Sequence, residues 1–149
     1  MKIVFGADHA GVELKDFLRE YAQQLGHEVI DIGTHDDQSV HYPLFGRQAA
    51  EVLAAGEADR AVIVCGTGVG ISLAANSVPG VRCVVCSEPF TAQLSRQHND
   101  ANALALGARV VGPGLAAMIM DSFLSTEFEG GRHQIRVDML IEYDNTCGQ

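Results

Sequence analysis

The chain has 149 residues, 47% of them hydrophobic, and its 10 basic against 19 acidic side chains give a net charge of −9. That length suits one domain with a sizeable core, and the acidic balance, uninterrupted by any basic cluster, opposes binding to nucleic acid or to an anionic membrane. No run of 18 apolar residues occurs, and Met1 and Lys2 lead directly into a strand-like run without a charged leader or cleavage site, so the expectation is a cytoplasmic protein forming one domain over residues 1–149.

In chain order, the apolar run of residues 2–7 reads as a strand ending in Asp8-His9-Ala10-Gly11, and Val12, Leu14, Phe17, Leu18, Tyr21 and Leu25 then recur at helical spacing up to Gly26. Residues 28–33 read as a second strand, residues 34–40 as a polar loop, and Tyr42-Pro43 opens a helix reaching about Gly56. The third strand, residues 61–65, delivers Cys65 to the turn Gly66-Thr67-Gly68-Val69-Gly70, and a short helix follows over residues 71–76. Residues 81–86 give strand four, Glu88-Pro89-Phe90 starts a helix running toward Arg96-Gln97-His98-Asn99-Asp100, and residues 104–111 form a fifth strand. A helix over residues 115–124 and a last amphipathic helix carrying Arg132, Arg136, Val137, Leu140 and Ile141 complete the pattern, with residues 145–149 as a frayed tail. Strands alternating with helices at this spacing predict an α/β fold, a doubly wound, Rossmann-like domain with a parallel sheet of about five strands and a C-terminal helix.

Ligands of open parallel sheets gather at the carboxyl ends of the strands, which places Asp8, His9, Cys65 and the glycine turn on one rim. Glycines at every second position let backbone N–H groups approach an anion, and the same donors stabilise a thiolate at Cys65, suiting it to act as a base or nucleophile. The turn is not a dinucleotide fingerprint, since Ile71 stands where the third glycine is needed, although Glu88 lies at about the distance of a ribose-binding acid. Cys83 and Cys86 have C-x-x-C spacing, but residues three apart on a strand face opposite ways, so both read as core thiols; with Cys65 and Cys147 the four cysteines are too irregular for a disulfide scaffold. Arg132 and Arg136 project from one helix face and can converge on a multi-oxygen anion, or form an ordinary solvated face. His98 near a helix C-terminus favours the imidazolium, or is simply solvated there. His35, Asp36, Asp37 and His41 match no metal-ligand spacing.

Four motifs in order, Gly6-x-Asp8-His9-x-Gly11, Cys65-Gly66-Thr67-Gly68-Val69-Gly70-Ile71-Ser72, Ser95-Arg96-Gln97-His98-Asn99-Asp100 and Glu129-Gly130-Gly131-Arg132-His133-x-x-Arg136, closely resemble the ribose-5-phosphate isomerase B family from about Lys2 to beyond Asp138. The resemblance is to the branch with a cysteine before the turn; other branches carry a glutamate within it, where this chain offers only Val69. It implies aldose–ketose isomerisation of ribose 5-phosphate and ribulose 5-phosphate through a cis-enediolate, without metal or other cofactor. Carried onto matching positions, Cys65 is the base with Thr67 beside it, residues Gly66, Thr67, Gly68, Val69 and Gly70 hold the enediolate oxygen, and His98 and Asp8 assist ring opening. His9, Arg132 and Arg136 bind phosphate, and Asn99 and Arg109 are further substrate contacts.

The resemblance also implies a homodimer with the last helix contributing across the interface, with pairing into tetramers left open. Two alternatives stand beside this reading: the same chemistry on allose 6-phosphate or a tetrulose phosphate, and a phosphosugar-binding protein without turnover. His41 before Tyr42-Pro43, where many members have an acid, and the additional thiol Cys83 are departures from the family pattern.

Overall fold

The structure, a computed structural model, describes residues 1–147. Five strands alternate with helices: β1 (Lys2–Ala7), α1 (Val12–Gln24), β2 (Glu28–Asp31), α2 (Tyr42–Ala54), β3 (Arg60–Cys65), α3 (Val69–Ala75), β4 (Cys83–Val85), α4 (Pro89–Asn99), β5 (Ala103–Gly107), α5 (Pro113–Ser125) and α6 (Arg132–Cys147). All strand pairs are parallel, in the order β2-β1-β3-β5-β4, so the chain winds one way from β1 to β2 and the other way beyond β3. The crevice expected of such a switch therefore opens between the carboxyl ends of β1 and β3.

The central strands are covered on both faces, which is why their sequences are continuously apolar rather than alternating. On β3, Val62 and Val64 join the core under α1, α4 and α5, with Leu18, Ile119 and Phe123, while Ala61, Ile63 and Cys65 join the core under α2 and α3, with Ala50 and Ile71. Each large side chain buried there contributes about 1.5–3 kcal/mol relative to leaving it in water. Cys83 and Cys86 fall into opposite cores, as strand alternation requires, and burial pushes their thiols up to about 12 and about 11. Neither is poised for redox or metal chemistry at neutral pH.

Several boundaries differ from the sequence expectation. The fifth strand stops at Gly107 instead of Val111, because Val110 and Val111 both donate to the Gly107 carbonyl and turn the chain away, carrying Arg109 with them. β-branched propensity yields there to a tight backbone contact: a Cβ on Gly107 would lie 2.7 Å from the Thr67 carbonyl carbon. α3 begins two residues early, at Val69, because Gly68 adopts φ +80° as its N-cap. α6 runs on to Cys147, through part of the expected frayed tail; the rest of that tail, Gly148 and Gln149, lies outside the described residues. Glu88 is an N-cap whose carboxylate accepts the Thr91 N–H at 2.9 Å, a helix-starting role rather than a ribose contact. No helix among the described residues is long and apolar enough to cross a membrane.

Candidate active site

The carboxyl end of β3 builds the first half of the site. Cys65 is buried, and its Sγ accepts the Gly68 N–H at 3.2 Å, inside a turn pinned to the end of β5 by the Ala108 N–H on the Cys65 carbonyl and the Arg109 N–H on the Gly66 carbonyl. The donor can face the sulfur because Gly68 holds its left-handed conformation, which costs an L residue about 1–2 kcal/mol. Thr67 and Val69 are exposed at the lip, with Val69 N donating to the Thr67 hydroxyl at 3.4 Å. Arg109 lies over Gly66, whose added Cβ would meet its Nη1 at 3.4 Å.

Over Gly70 sits the Tyr42 ring, 2.8 Å from where a Cβ would project. Sequence reading placed Tyr42 only as a helix start. The signal that would have found it is the third glycine of the turn, which leaves room for a ring on the outer side.

The end of β1 supplies the neighbouring groups. Asp8 is buried and its Oδ1 accepts the Ala10 N–H at 3.0 Å, while Gly11 passes so close to β3 that a Cβ would lie 2.6 Å from the Val64 carbonyl oxygen. His9 accepts the Val40 N–H on Nδ1 at 3.2 Å, so its neutral form carries the proton on Nε2. It lines a cleft of about 460 Å³ that continues between α1 and the start of α5, past Phe17, Asp37, Ala108 and Pro113. Asp8, His9 and the turn of residues 65–70 thus share one rim, as expected from the strand ends, and Arg109, turned out of the expected fifth strand, joins them beside Gly66.

The remaining candidates do not reach that rim. α4 returns from the carboxyl to the amino end of the sheet, and Arg82, just before β4, binds the carbonyls of Asn99 and Asp100 with its Nε. His98 and Asn99 therefore sit at the amino end, one length of β5, about 13 Å, from the level of Cys65. α6 packs beside them: His98 stacks on His133 with ring centroids 4.3 Å apart and planes 10° from parallel, and Arg132 Nε points at His133 Nε2 at 3.4 Å. Arg132, Arg136 and Asn99 are exposed there.

His133, part of the fourth motif but with no role assigned by its spacing, packs against His98 at the amino end of the sheet. It is buried, its Nδ1 has no partner among the described residues, and burial together with the charges of His98, Arg132 and Arg136 pushes its imidazole pKa down. His98, Glu129 and His133 bring donor atoms within 4.8 Å of one another. The parallel rings, however, run their in-plane lone pairs alongside each other rather than onto one point, and an arginine faces the His133 nitrogen. The Glu129 carboxylate lies 3.5 Å from the same His133 nitrogen, so the cluster is closed by its own charges.

A sequence model of the ribose/galactose isomerase family matches residues 3–140. Ribose-5-phosphate isomerase B of Escherichia coli is 53% identical over 139 residues, 93% of either chain, and a galactose-6-phosphate isomerase subunit of Clostridium acetobutylicum is 43% identical, over 97% of this chain and 86% of that one. Among solved structures, ribose-5-phosphate isomerase B of Clostridium thermocellum superimposes with TM-score 0.97 at 51% identity, over 98% of this chain and 99% of that one. The Mycoplasma genitalium enzyme with bound ribulose 5-phosphate does so with TM-score 0.92 at 38% identity, over 97% of this chain and 96% of that one. Sharing its fold, its near-full-length sequence and the family pattern from the first strand to the last helix, the chain belongs to the ribose/galactose isomerase family.

Proposed function

We propose that the protein is an aldose–ketose isomerase that interconverts ribose 5-phosphate and ribulose 5-phosphate, with Cys65 as the base. The observation that carries this is the Cys65 sulfur seated in the glycine turn with the Gly68 N–H directed at it. The thiolate takes the proton from C2 of the open-chain aldose and returns it to C1 on the same face of the cis-enediolate, while the O2 hydroxyl proton passes to O1, so that C2–OH becomes the ketone and the C1 aldehyde becomes CH2OH. C1 is reduced as C2 is oxidised, so the electrons balance within the substrate. Charge develops on the carbonyl oxygen as the proton leaves, and preorganised N–H donors at such an oxygen are worth about 3–4 kcal/mol each. The turn of residues 66–70 supplies these donors, apart from the Gly68 N–H, which is on the sulfur, and the Val69 N–H, which is on the Thr67 hydroxyl; Thr67 stands beside them.

The phosphate end lies at His9, and Arg132 and Arg136 complete it from a second copy of the chain; Arg109, over Gly66, is a further substrate contact. Ring opening falls to Asp8 and, again from the second copy, to His98, with Asn99 as a further sugar contact. A homodimer is what the geometry supports, because one chain holds these groups at opposite ends of its sheet. Two apolar surfaces suit the contact: Ile135, 66% exposed, with Met139 and Tyr143 on α6, and Leu73, also 66% exposed, with Val69, Leu44 and Phe90 around the turn. The protein acts in the cytoplasm on a free sugar phosphate.

Replacing Cys65 by Ala is expected to lower kcat by about 10²–10⁴-fold with little change in KM, and to abolish solvent-hydrogen incorporation during turnover. A Cys65→Ala enzyme with near-native kcat refutes the assignment. The galactose-6-phosphate relative motivates a second substrate reading, a six-carbon sugar phosphate. Comparing kcat/KM over four-, five- and six-carbon aldose phosphates decides between them, and the five-carbon sugar is expected to lead.

A further inference from the structure

A buried ion pair behind the cleft is used by nothing described so far. Lys15 on α1 is 0% exposed, and its Nζ donates to both Asp31 oxygens at 2.8 and 2.9 Å, at the end of β2, with Asp16 at 3.1 Å. A fully desolvated ammonium is costly to hold and is retained only where its partners are well placed. The pair does more than join α1 to β2. Asp31 Oδ1 also accepts the Gly33 N–H at 2.9 Å, and Gly33 returns its carbonyl to the Ala7 N–H at 2.7 Å while Thr34 donates to the Ala7 carbonyl at 2.8 Å.

Ala7 is two residues before His9. The loop that leaves at Gly33 comes back at Val40, whose N–H is the hydrogen bond on His9 Nδ1. Between those two anchors residues 35–39 are exposed; Gln38 N donates to Asp36 Oδ1 at 3.0 Å, and His35 Nδ1 lies 3.8 Å from Asp31 Oδ2. The loop that presents the Val40 N–H is thus anchored at both ends, at Gly33 by Asp31 and Ala7 and beyond Val40 by the start of α2 at Tyr42.

We propose that Lys15 and Asp31 are positioning residues for His9: by fixing the loop of residues 33–40, they hold the His9 ring in the Nε2–H tautomer that donates to the substrate phosphate. The proposal rests on the phosphate role of His9 given above. It goes beyond it by assigning that role's precision to two residues that touch no substrate.

The test is a double-mutant cycle of Asp31→Ala with His9→Gln, read in KM for ribose 5-phosphate and in competitive inhibition by inorganic phosphate. His9→Gln and Asp31→Ala are each expected to raise both constants by about 5–20-fold, with kcat for Asp31→Ala within about twofold of native; adding Asp31→Ala to His9→Gln then changes KM by less than about twofold. Asp31→Asn keeps an oxygen for the Gly33 N–H and is expected to show a smaller shift with the same coupling, so it carries the cycle if the alanine variant does not fold. Multiplicative effects in the double variant, or a native KM in folded Asp31 variants, overturn the proposal alone. A native KM in His9→Gln overturns the phosphate role of His9 and this proposal with it.

Discussion

At the scale of single residues, the site depends on where backbone donors point. The place of Cys65 is legible in the sequence, because an apolar run ending before alternating glycines puts the thiol at a strand end beside backbone donors, whereas base and nucleophile are told apart only by the family resemblance. The burial of His133 is not legible: it follows from α6 folding back onto α4, a long-range contact that no local spacing encodes. Gly68 concentrates the residue-scale argument, since its φ of +80° aims its N–H at sulfur and an added Cβ would lie 3.0 Å from the Leu106 carbonyl carbon. Gly68→Ala is expected to destabilise the protein by about 1–3 kcal/mol and to lower kcat more than 10-fold, checked by urea unfolding and steady-state kinetics. An alanine variant with native kcat would show that this N–H has no part in the chemistry.

At the scale of elements, apolar runs and helical spacing together with proline and glycine signals reveal the helices and strands, and the largest difference sits where backbone contacts end an element. β5 stops at Gly107 because the turn of residues 66–68 crowds it, although Val110 and Val111 favour extension. The tie between α1 and β2 was invisible for a different reason. A lysine at a core-facing helical position looks like an exposed residue out of register until its carboxylate partner is found 16 residues away.

Burial would raise the Asp31 pKa, but the Lys15 hydrogen bonds, the Gly33 N–H and the charges of Lys15 and His35 outweigh it and hold the carboxyl below the usual carboxylate range. A carboxyl depressed by folding stabilises above its unfolded pKa, about 3.9, and loses that contribution as pH falls through the folded value. Asp31→Asn is therefore expected to cost about 1.5–3 kcal/mol at pH 7, in urea midpoints converted to free energy, with the gap narrowing as pH falls below about 4. A gap that stays unchanged as the carboxyl is titrated by acid would assign the loss to packing instead of charge.

At the scale of the whole molecule, the sequence names both halves of the site but not their separation. Spacing along the chain puts His98 and Cys65 33 residues apart, and only the path of α4 back to the amino ends of the strands shows that one copy keeps them at opposite ends of its sheet. The exposed apolar faces of α6 and of the turn region have the same origin, surfaces with no partner inside the chain. The central claim, a site built from the Cys65 rim of one chain and the His98 end of another, is tested most directly by co-expressing Cys65→Ala and His98→Asn chains that are each inactive alone. Random pairing puts both substitutions into one site of each mixed dimer and leaves the other site native, so the mixture is expected to recover about a quarter of wild-type activity. A mixture that forms mixed dimers yet stays as inactive as its parents would contradict the account.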